Sequence, residues 1–298
     1  MTKVAVIAHA GKSFGEGLPE LRRELARQGV DDPLWIEVPK SRFVSKQVKR
    51  VLGEGCELLF AWGGDGTVQR CVDGLAGTET PLAILPAGTA NLLATNLGIP
   101  KQIARAVRVG LHGARHTLDV GVMNGERFAV MAGAGFDAIV MNSVDTAKKK
   151  QLGRLAYFRG GVRAMRARAV PTTVRVDGAT WFDGAASAVL IGNVGTVTGG
   201  FKVFPDASDH DGLLEVGVVT ASNVWQWLRV LSRVAGGRPD VSKFVKITRG
   251  AKIVVRLSRK RVYQIDGGVR SAAKCLKVRV DPGAITVRVP PVRRAARS

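Results

Sequence analysis

The hydrophobic pattern of the first 117 residues alternates between two kinds of segment. Short, almost wholly apolar runs predict strands at 4–8, 34–38, 58–62 and 81–85. Between them, apolar residues at helical spacing predict helices at 18–28, 41–52 and 67–75, and a further helix near Pro100. Ser41 is a candidate N-cap for the second of these helices. Buried strands that alternate with helices indicate a parallel sheet covered on both faces.

Beyond residue 117 the pattern is typical of antiparallel β-structure. Runs rich in β-branched residues and separated by glycine predict strands at 127–131, 172–176, 188–191, 214–219, 251–257, 261–265, 276–280 and 285–289. Two helices are expected between them, a basic one within 147–168 and one at 222–234. In the second helix Val224, Trp225, Leu228 and Leu231 share one stripe, which we expect to face the core, with Trp227 off it.

These patterns predict a protein of the α/β plus β class with two domains. Residues 1–118 would form an α/β nucleotide-binding domain with a parallel sheet, and residues 119–284 a mainly antiparallel β-sandwich. The segment at about 285–298 could return to the first domain. A chain of 298 residues is long enough for both cores. Without a long apolar window or a leader-like start, the sequence predicts a cytoplasmic protein with no transmembrane anchor.

Composition adds a strong basic bias. The 45 Lys and Arg residues outnumber the 24 Asp and Glu residues, so the formal net charge is +21. Such a field attracts nucleic acid, anionic lipid surfaces or nucleotide phosphates. The basic stretch within 147–168 is either a helix that lies on a membrane surface or one that packs its apolar stripe on the β-domain. The three cysteines form no Cys-x-x-Cys pair, which favours free thiols.

A glycine-rich loop, Gly63, Gly64, Asp65, Gly66 and Thr67, follows the third predicted strand. Ligands bind at this end of parallel strands, and glycines let phosphate oxygens approach the backbone amides at the start of the next helix. A carboxylate beside phosphates is repelled unless a divalent cation lies between them or it takes a proton. We therefore interpret the loop as a phosphate site in which Asp65 handles magnesium or a proton. A tight turn without a ligand is the alternative.

A second loop follows the next strand, in the sequence LPAGTANLL. Its Gly88, Thr89 and Asn91 would lie beside the first loop at the same edge of the sheet. Other phosphate-loop templates fail on spacing, because a Gly-x-Gly-x-x-Gly motif would need glycine at Gln69 and a Walker A loop would need it at Val6. The two strand ends together offer amides and hydroxyls to one polyphosphate.

The combination of GGDGT with LPAGTANLLATNLGIP resembles the diacylglycerol kinase catalytic-domain family of lipid kinases, whose members include sphingosine and ceramide kinases. NAD kinases and 6-phosphofructokinases share the GGDG loop but not the PAGTAN segment. Weaker matches are AGKS near the start, AGAGFDA at 132–138, LGRLAY at 152–157, PDASDHDGLLEV at 205–216 and IDGG at 265–268. The resemblance implies a kinase that uses ATP and Mg²⁺ to phosphorylate a lipid, most simply diacylglycerol, as a peripheral protein at an anionic membrane surface.

The resemblance also assigns roles to residues by motif match. Around the nucleotide it places Lys12, Gly63, Gly64, Asp65, Gly66, Thr67, Gly88, Thr89 and Asn91. It associates Asp137 with the polar head of the substrate, and Asp209 and Asp211 with a structural magnesium ion, for which a solvated turn is an equal alternative. The catalytic candidates are Asp65, Asp137 and Asp266.

The chain departs from the family pattern at one chemically important position. The expected Asp-Gly-Glu, whose glutamate is the usual candidate base, here reads Asp266-Gly267-Gly268. Asp266 or Asp65 could substitute, because phosphoryl transfer depends mainly on positioning and charge neutralisation. The alternatives are a catalytically impaired regulator that binds nucleotide and lipid, and a soluble-substrate kinase resembling NAD kinase. No recognised nucleic-acid module is present, and the sequence is compatible with a homodimer.

Overall fold

The computed structural model describes residues 2–135, 169–197, 201–237, 240 and 242–291. The chain divides into two compact units, one holding residues up to Val120 and again from Pro282, the other holding Gly121–Asp281. The sequence-based division places these boundaries at 118 and about 284. Asp137 and the basic stretch within 147–168 lie outside the described residues.

The first unit is built on a parallel sheet, as predicted. Its elements are β1 (Val4–His9), α1 (Leu18–Arg27), β2 (Leu34–Val38), α2 (Val44–Gly53), β3 (Leu58–Gly63), α3 (Asp65–Leu75), β4 (Leu82–Pro86), α4 (Leu92–Asn96) and α5 (Ile103–His112). The strand order is β4-β3-β1-β2, and all three pairings are parallel. Every residue of β3 and β4 is buried, which explains their uninterrupted apolar runs.

Two predicted helix starts in this unit are wrong. Ser41 does not cap a helix, because residues 41–43 form a 3₁₀ turn before α2, and its hydroxyl lies 3.2 Å from the hydroxyl of Thr67 instead. The helix expected near Pro100 begins at Ile103, with Gln102 as its N-cap. In both cases a residue that suits a helix start is used in the connection before the helix.

The second unit is an antiparallel β-sandwich, again as predicted. Its elements are β6 (Glu126–Phe128), β7 (Met131–Ala134), β8 (Val170–Val176), β9 (Ala179–Ala186), β10 (Ala188–Gly192), β11 (Thr196–Val197), β12 (Phe201–Lys202), β13 (Leu214–Val219), α6 (Val224–Ala235), β14 (Val245–Gly250) and β15 (Lys252–Ile265). Successive neighbours β14-β13-β10-β7-β15 pair antiparallel, and β8 joins β15 to β9.

Two long strands contain the residues at which the chain passes from one unit to the other. They are β5 (Ala114–Met123) and β16 (Gly268–Val289). The sequence pattern does not predict β5, and it divides β16 into two strands at 276–280 and 285–289. Within the first unit, Val287 near the end of β16 pairs parallel with Leu82 of β4.

The buried face of α6 is the opposite of the predicted one. Trp227 and Val230 are each only 4% exposed and pack with Ala188, Val219 and Ala221, whereas Trp225 is 77% exposed. Both faces of this helix carry large apolar residues, so the helical period alone cannot decide which one meets the core.

Among the described residues, no helix combines the length and the apolar character needed to cross a membrane.

Candidate active site

Three neighbouring parallel strands end at the same edge of the first unit's sheet. β1 ends at His9, β3 at Gly63 and β4 at Pro86. The segments that follow them contain the sequence-predicted phosphate residues, in the first loop (residues 63–67) and the second loop (residues 86–91). This is the edge at which an open parallel sheet offers backbone amides to a ligand.

The two loops touch through their backbones. A Cβ atom added to Gly88 would lie 2.4 Å from the Cα atom of Gly64, closer than real contacts allow. The amide of Ala87 also donates to the carbonyl oxygen of Gly63, at 2.9 Å. Gly64 and Gly88 are therefore glycines because the backbones of the two loops meet there.

Asn91 holds the second loop closed. Its side-chain nitrogen donates to the carbonyl oxygen of Gly88 at 2.7 Å, and its side-chain oxygen accepts from the amide of Gly88 at 2.9 Å. The residue is buried and adopts a left-handed backbone conformation, with φ of 49°. Asparagine tolerates this region better than most residues do. The side chain that the sequence assigns to the nucleotide thus also fixes the shape of the loop.

Asp65 joins the two loops. It is the first residue of α3, and its carboxylate accepts hydrogen bonds from the amides of Asn91 at 3.0 Å and Leu92 at 2.5 Å, at the start of α4. Burial raises the pKa of Asp65, while these amides and the charge of Lys12 act in the opposite direction. Each carboxylate oxygen has a second lone pair, so Asp65 can still bind a proton or a cation.

Lys12 belongs to the segment after β1. Its carbonyl oxygen accepts from Nε1 of Trp62 at 3.1 Å, and its amide donates to the carbonyl oxygen of His9 at 3.0 Å. Nδ1 of His9 accepts from the amide of Gly11 at 3.1 Å. Burial and the charge of Lys12 lower the pKa of His9. The Lys12 side chain itself is exposed, so its ammonium group is accessible at this edge.

The remaining predicted residues of the loops differ in accessibility. Gly66 and Thr89 are exposed, whereas the amide of Thr67 donates to the carbonyl oxygen of Gly64 at 2.9 Å. Thr67 is 1% exposed, and its side chain lies between the hydroxyl of Ser41 and the backbone of Gly63. Sequence reasoning missed Ser41 as a part of this edge, although its position just after a predicted strand was a usable signal.

Asp266 lies in the second unit, in the turn between β15 and β16. It is 7% exposed, with φ of 43°, and its carboxylate accepts from the amides of Ala129, Val130 and Met131 at 2.9, 3.0 and 2.9 Å. Three amides on one carboxyl group hold it in place. The structure thus gives Asp266 a supporting role, and its catalytic role stays a prediction.

Gly268 has a cationic neighbour. A Cβ atom added there would lie 2.6 Å from Nη1 of Arg270. The guanidinium of Arg270 forms a two-pronged ion pair with Glu126, and the hydrogen bonds to Glu126 raise the pKa of Arg270. The position at which the family pattern expects a glutamate is therefore bordered by an arginine that already has a carboxylate partner.

The predicted magnesium residues lie in the segment before β13. Asp209 pairs with the His210 ring at 2.7 Å, and Asp211 accepts from the amide of Leu213 at 3.1 Å. Arg249 approaches Asp211 at 3.8 Å. Glu215, which sequence reasoning did not select, is 8% exposed.

The charge around Glu215 is mainly negative. Burial raises its pKa most, and the carboxylates of Asp206 and Asp211 add to the effect, whereas Arg249 opposes it. Oxygen ligands of this kind suit a hard divalent cation, so the donor set is compatible with magnesium. A further carboxylate four residues after Asp211, at the start of the predicted strand, was the signal that could have identified Glu215.

Comparison with known proteins agrees with the resemblance noted in the sequence. Residues 3–123 match the diacylglycerol kinase catalytic domain, and residues 130–289 match the YegS C-terminal NAD kinase beta sandwich-like domain. A diacylglycerol kinase of Bacillus subtilis is 30% identical over 215 residues, which are 71% of each chain. A Pseudomonas aeruginosa protein named "Probable lipid kinase YegS-like" is 30% identical over 294 residues, 97% of this chain and 94% of that one.

The fold has a similar solved structure. A diacylglycerol kinase from Bacillus anthracis superimposes with a TM-score of 0.78 over 96% of both chains, at 24% identity. This likeness supports the α/β plus β-sandwich architecture, and the two domain matches together extend over both units. The chain therefore belongs to the family of lipid kinases that have the diacylglycerol kinase catalytic domain.

Proposed function

We propose that this protein transfers the γ-phosphoryl group of ATP to a hydroxyl of a membrane lipid, with diacylglycerol as the first candidate. The observation that carries the proposal is the backbone contact of Gly64 with Gly88, which joins two amide-rich loops at one sheet edge. The name of the Bacillus subtilis relative supports diacylglycerol as the acceptor.

The chemistry of this edge fits a polyphosphate. The exposed Gly66 would offer its amide at the start of α3, Thr89 a hydroxyl and Lys12 an accessible positive charge. ATP would supply the phosphoryl group there, and Mg²⁺ would neutralise part of its charge. Lys12 and the two loops would bind and orient the phosphates.

Asp65 is the better candidate for moving a proton. Its pKa is raised, and each of its oxygens accepts an amide from the start of α4. Asp266 accepts three amides, which fix the position of its carboxyl group. We therefore assign proton or magnesium handling to Asp65 and orientation of the β15–β16 turn to Asp266. Asp209 and Asp211 would hold a structural magnesium ion, and Asp137 would orient the acceptor.

Transfer of radiolabel from ATP into a lipid panel tests this proposal. We expect Asp65→Asn to lower the rate at least about 100-fold, because general acid–base groups typically contribute that much. Asp32→Asn, at an exposed position after α1, is the matched control and should keep the wild-type rate. Thermal unfolding of both variants checks that the fold survives. Full activity of Asp65→Asn would contradict the assignment.

A second candidate function follows from Gly268. If the missing glutamate limits catalysis, the protein would bind nucleotide and lipid as a regulator without turnover. Calorimetric binding of ATP with no transfer to any lipid of the panel would favour the regulator. Inclusion of NAD among the acceptors also tests the soluble-substrate alternative, for which the PAGTAN loop gives no support.

We also propose that the protein works as a peripheral protein at an anionic membrane surface. The net charge of +21 supports such a location, because anionic lipid headgroups attract basic proteins. Co-sedimentation with anionic vesicles, and none with zwitterionic vesicles, is the expected result.

A further inference from the structure

Helix α6 has a second apolar face that does not meet the core. Trp227 and Val230 anchor the helix in the second unit, each 4% exposed. Trp225, Leu228 and Leu231 are 77%, 44% and 41% exposed. These three residues follow one another at intervals of three, so they form a continuous stripe along the outside of the helix.

A strand beside the helix carries a further exposed apolar residue. β12 packs against α6, and its Phe201 is 46% exposed. Of the seven exposed large hydrophobic side chains among the described residues, four lie on α6 or on the strand that packs against it. We call Trp225, Leu228, Leu231 and Phe201 the outer patch. A clustered group of this kind marks an interaction surface more strongly than the same residues scattered singly.

The border of the outer patch is cationic. Arg229 follows Trp225 by one helical turn and Arg233 follows Arg229 by another, and both are exposed. Lys202, next to Phe201 on β12, is exposed as well. The twelve residues of α6 contain no Asp or Glu. An occupant of this surface must therefore combine apolar material at its centre with negative charge at its rim.

We propose that the outer patch docks on an anionic lipid bilayer. Trp225, Leu228, Leu231 and Phe201 would enter the boundary between headgroups and acyl chains, and Arg229, Arg233 and Lys202 would contact lipid phosphates. Tryptophan suits this boundary because its ring is apolar while its N–H can remain in a polar layer. The inference rests on the proposed function, since a kinase of membrane lipids must reach its acceptor there.

A second copy of this chain fits the surface less well. A symmetric pair would bring the same surface of both copies together, and with it two sets of Arg229, Arg233 and Lys202. Like charges at close range oppose such an interface. A bilayer with anionic headgroups has the opposite charge at the required place.

Vesicle binding of the full chain tests the proposal. The probe is large unilamellar vesicles of phosphatidylcholine with about one third phosphatidylglycerol, followed by flotation. We expect the double variant Trp225→Ser, Leu228→Ser to bind about 10-fold more weakly, because it removes apolar surface from the boundary. The variant Arg229→Gln, Arg233→Gln should lose about as much affinity for these vesicles. Val269→Ser, at an apolar residue 48% exposed on β16, is the control and should bind like the wild type.

Depth-dependent quenching gives an independent readout. Lipids brominated on their acyl chains should quench the wild type more than Trp225→Phe, because Trp225 would be the tryptophan nearest to the chains. Equal quenching of both, or wild-type vesicle affinity of the Trp225→Ser, Leu228→Ser variant, would overturn the proposal. A lower dimer affinity of that variant in sedimentation equilibrium, with unchanged vesicle binding, would overturn it too and identify a second copy as the occupant.

The proposed function has a separate readout. Transfer of phosphate to diacylglycerol dispersed in non-ionic detergent micelles does not require an anionic bilayer. If the protein is active in micelles and the α6 variants bind vesicles like the wild type, only the outer-patch proposal is contradicted. If the α6 variants bind vesicles more weakly than the wild type and no lipid is phosphorylated, the outer-patch proposal is supported and the kinase assignment is contradicted.

Discussion

Asp65 experiences opposite influences on its charge. Burial favours the protonated carboxyl group, whereas the amides of Asn91 and Leu92 favour the carboxylate. The net direction is a raised pKa, so the folded protein binds this proton more tightly than the unfolded chain does. A group in this position can exchange a proton more readily near neutral pH than an ordinary aspartate can.

The raised pKa predicts a pH-dependent contribution of Asp65 to stability. The folded state retains the proton to a higher pH, so the favourable contribution is complete below the pKa of the unfolded chain. It is then lost as the pH rises through the folded pKa. We expect the free energy of unfolding of the wild type, relative to Asp65→Asn, to fall from about pH 4 upward. Urea unfolding of both proteins between pH 4 and 7 measures this difference, and a difference that grows with pH would contradict it.

At the scale of elements, the candidate site depends on how closely two connecting loops approach. Gly64 and Gly88 meet backbone to backbone, and Asp65 of α3 bonds to the start of α4. The two loops are separated in the sequence by α3 and β4, but they are neighbours in the sheet because β3 and β4 pair in parallel. The strand pairing thus brings the two loops side by side, and the absence of side chains at Gly64 and Gly88 lets their backbones touch.

A methyl group at position 88 should separate the loops. Its Cβ would lie 2.4 Å from the Cα of Gly64 and 2.7 Å from Oδ1 of Asn91, so backbone must move. We expect Gly88→Ala to destabilise the protein by about 1–3 kcal/mol and to weaken ATP binding. Chemical unfolding and calorimetry measure the two effects. Gly53→Ala, at the end of α2 where an added Cβ meets nothing within 4 Å, is the control. Equal behaviour of the two variants would refute the packing argument.

Much of the fold could be predicted because its strands are buried on both sides. The runs that became β1, β3 and β4 are apolar throughout, and a local pattern of that kind identifies a central strand without further information. β9 was missed, since most of its residues are exposed or half-buried and its Gly184 interrupts the apolar pattern. β5 was missed as well, although its second half is fully buried, because its first four residues are mainly polar.

The sequence predicts where the candidate site lies, but it does not predict the hydrogen bonds that shape it. The position of Asp65 at a strand end is a local property, and the pattern revealed it. The bonds from Asp65 to Asn91 and Leu92, and from Asp266 to Ala129, join residues distant in the chain, so no local spacing encodes them. The outward direction of Trp225 likewise depends on which face of α6 finds a core in the rest of the unit.

At the scale of the whole molecule, charge is the dominant feature. A formal +21 over 298 residues gives the protein a long-range attraction to any polyanion, whatever its site is built to bind. Salt distinguishes binding at a specific site from binding driven by net charge. At 0.1 M the Debye length is about 10 Å, so distant charges are screened whereas close contacts are not. The affinities of the protein for lipid vesicles and for nucleic acid should therefore respond differently to ionic strength.

We expect duplex DNA to bind at about 50 mM salt and to lose at least about 100-fold in affinity by about 200 mM, because only counterion release would drive it. Vesicle binding should weaken less over the same range, since apolar contacts of Trp225 and Leu228 are not screened. Fluorescence anisotropy with a labelled duplex and flotation with vesicles, at matched salt, give the two slopes. Sequence-selective DNA binding that persists at about 200 mM would reverse the ranking of partners, because charge alone cannot distinguish one base sequence from another.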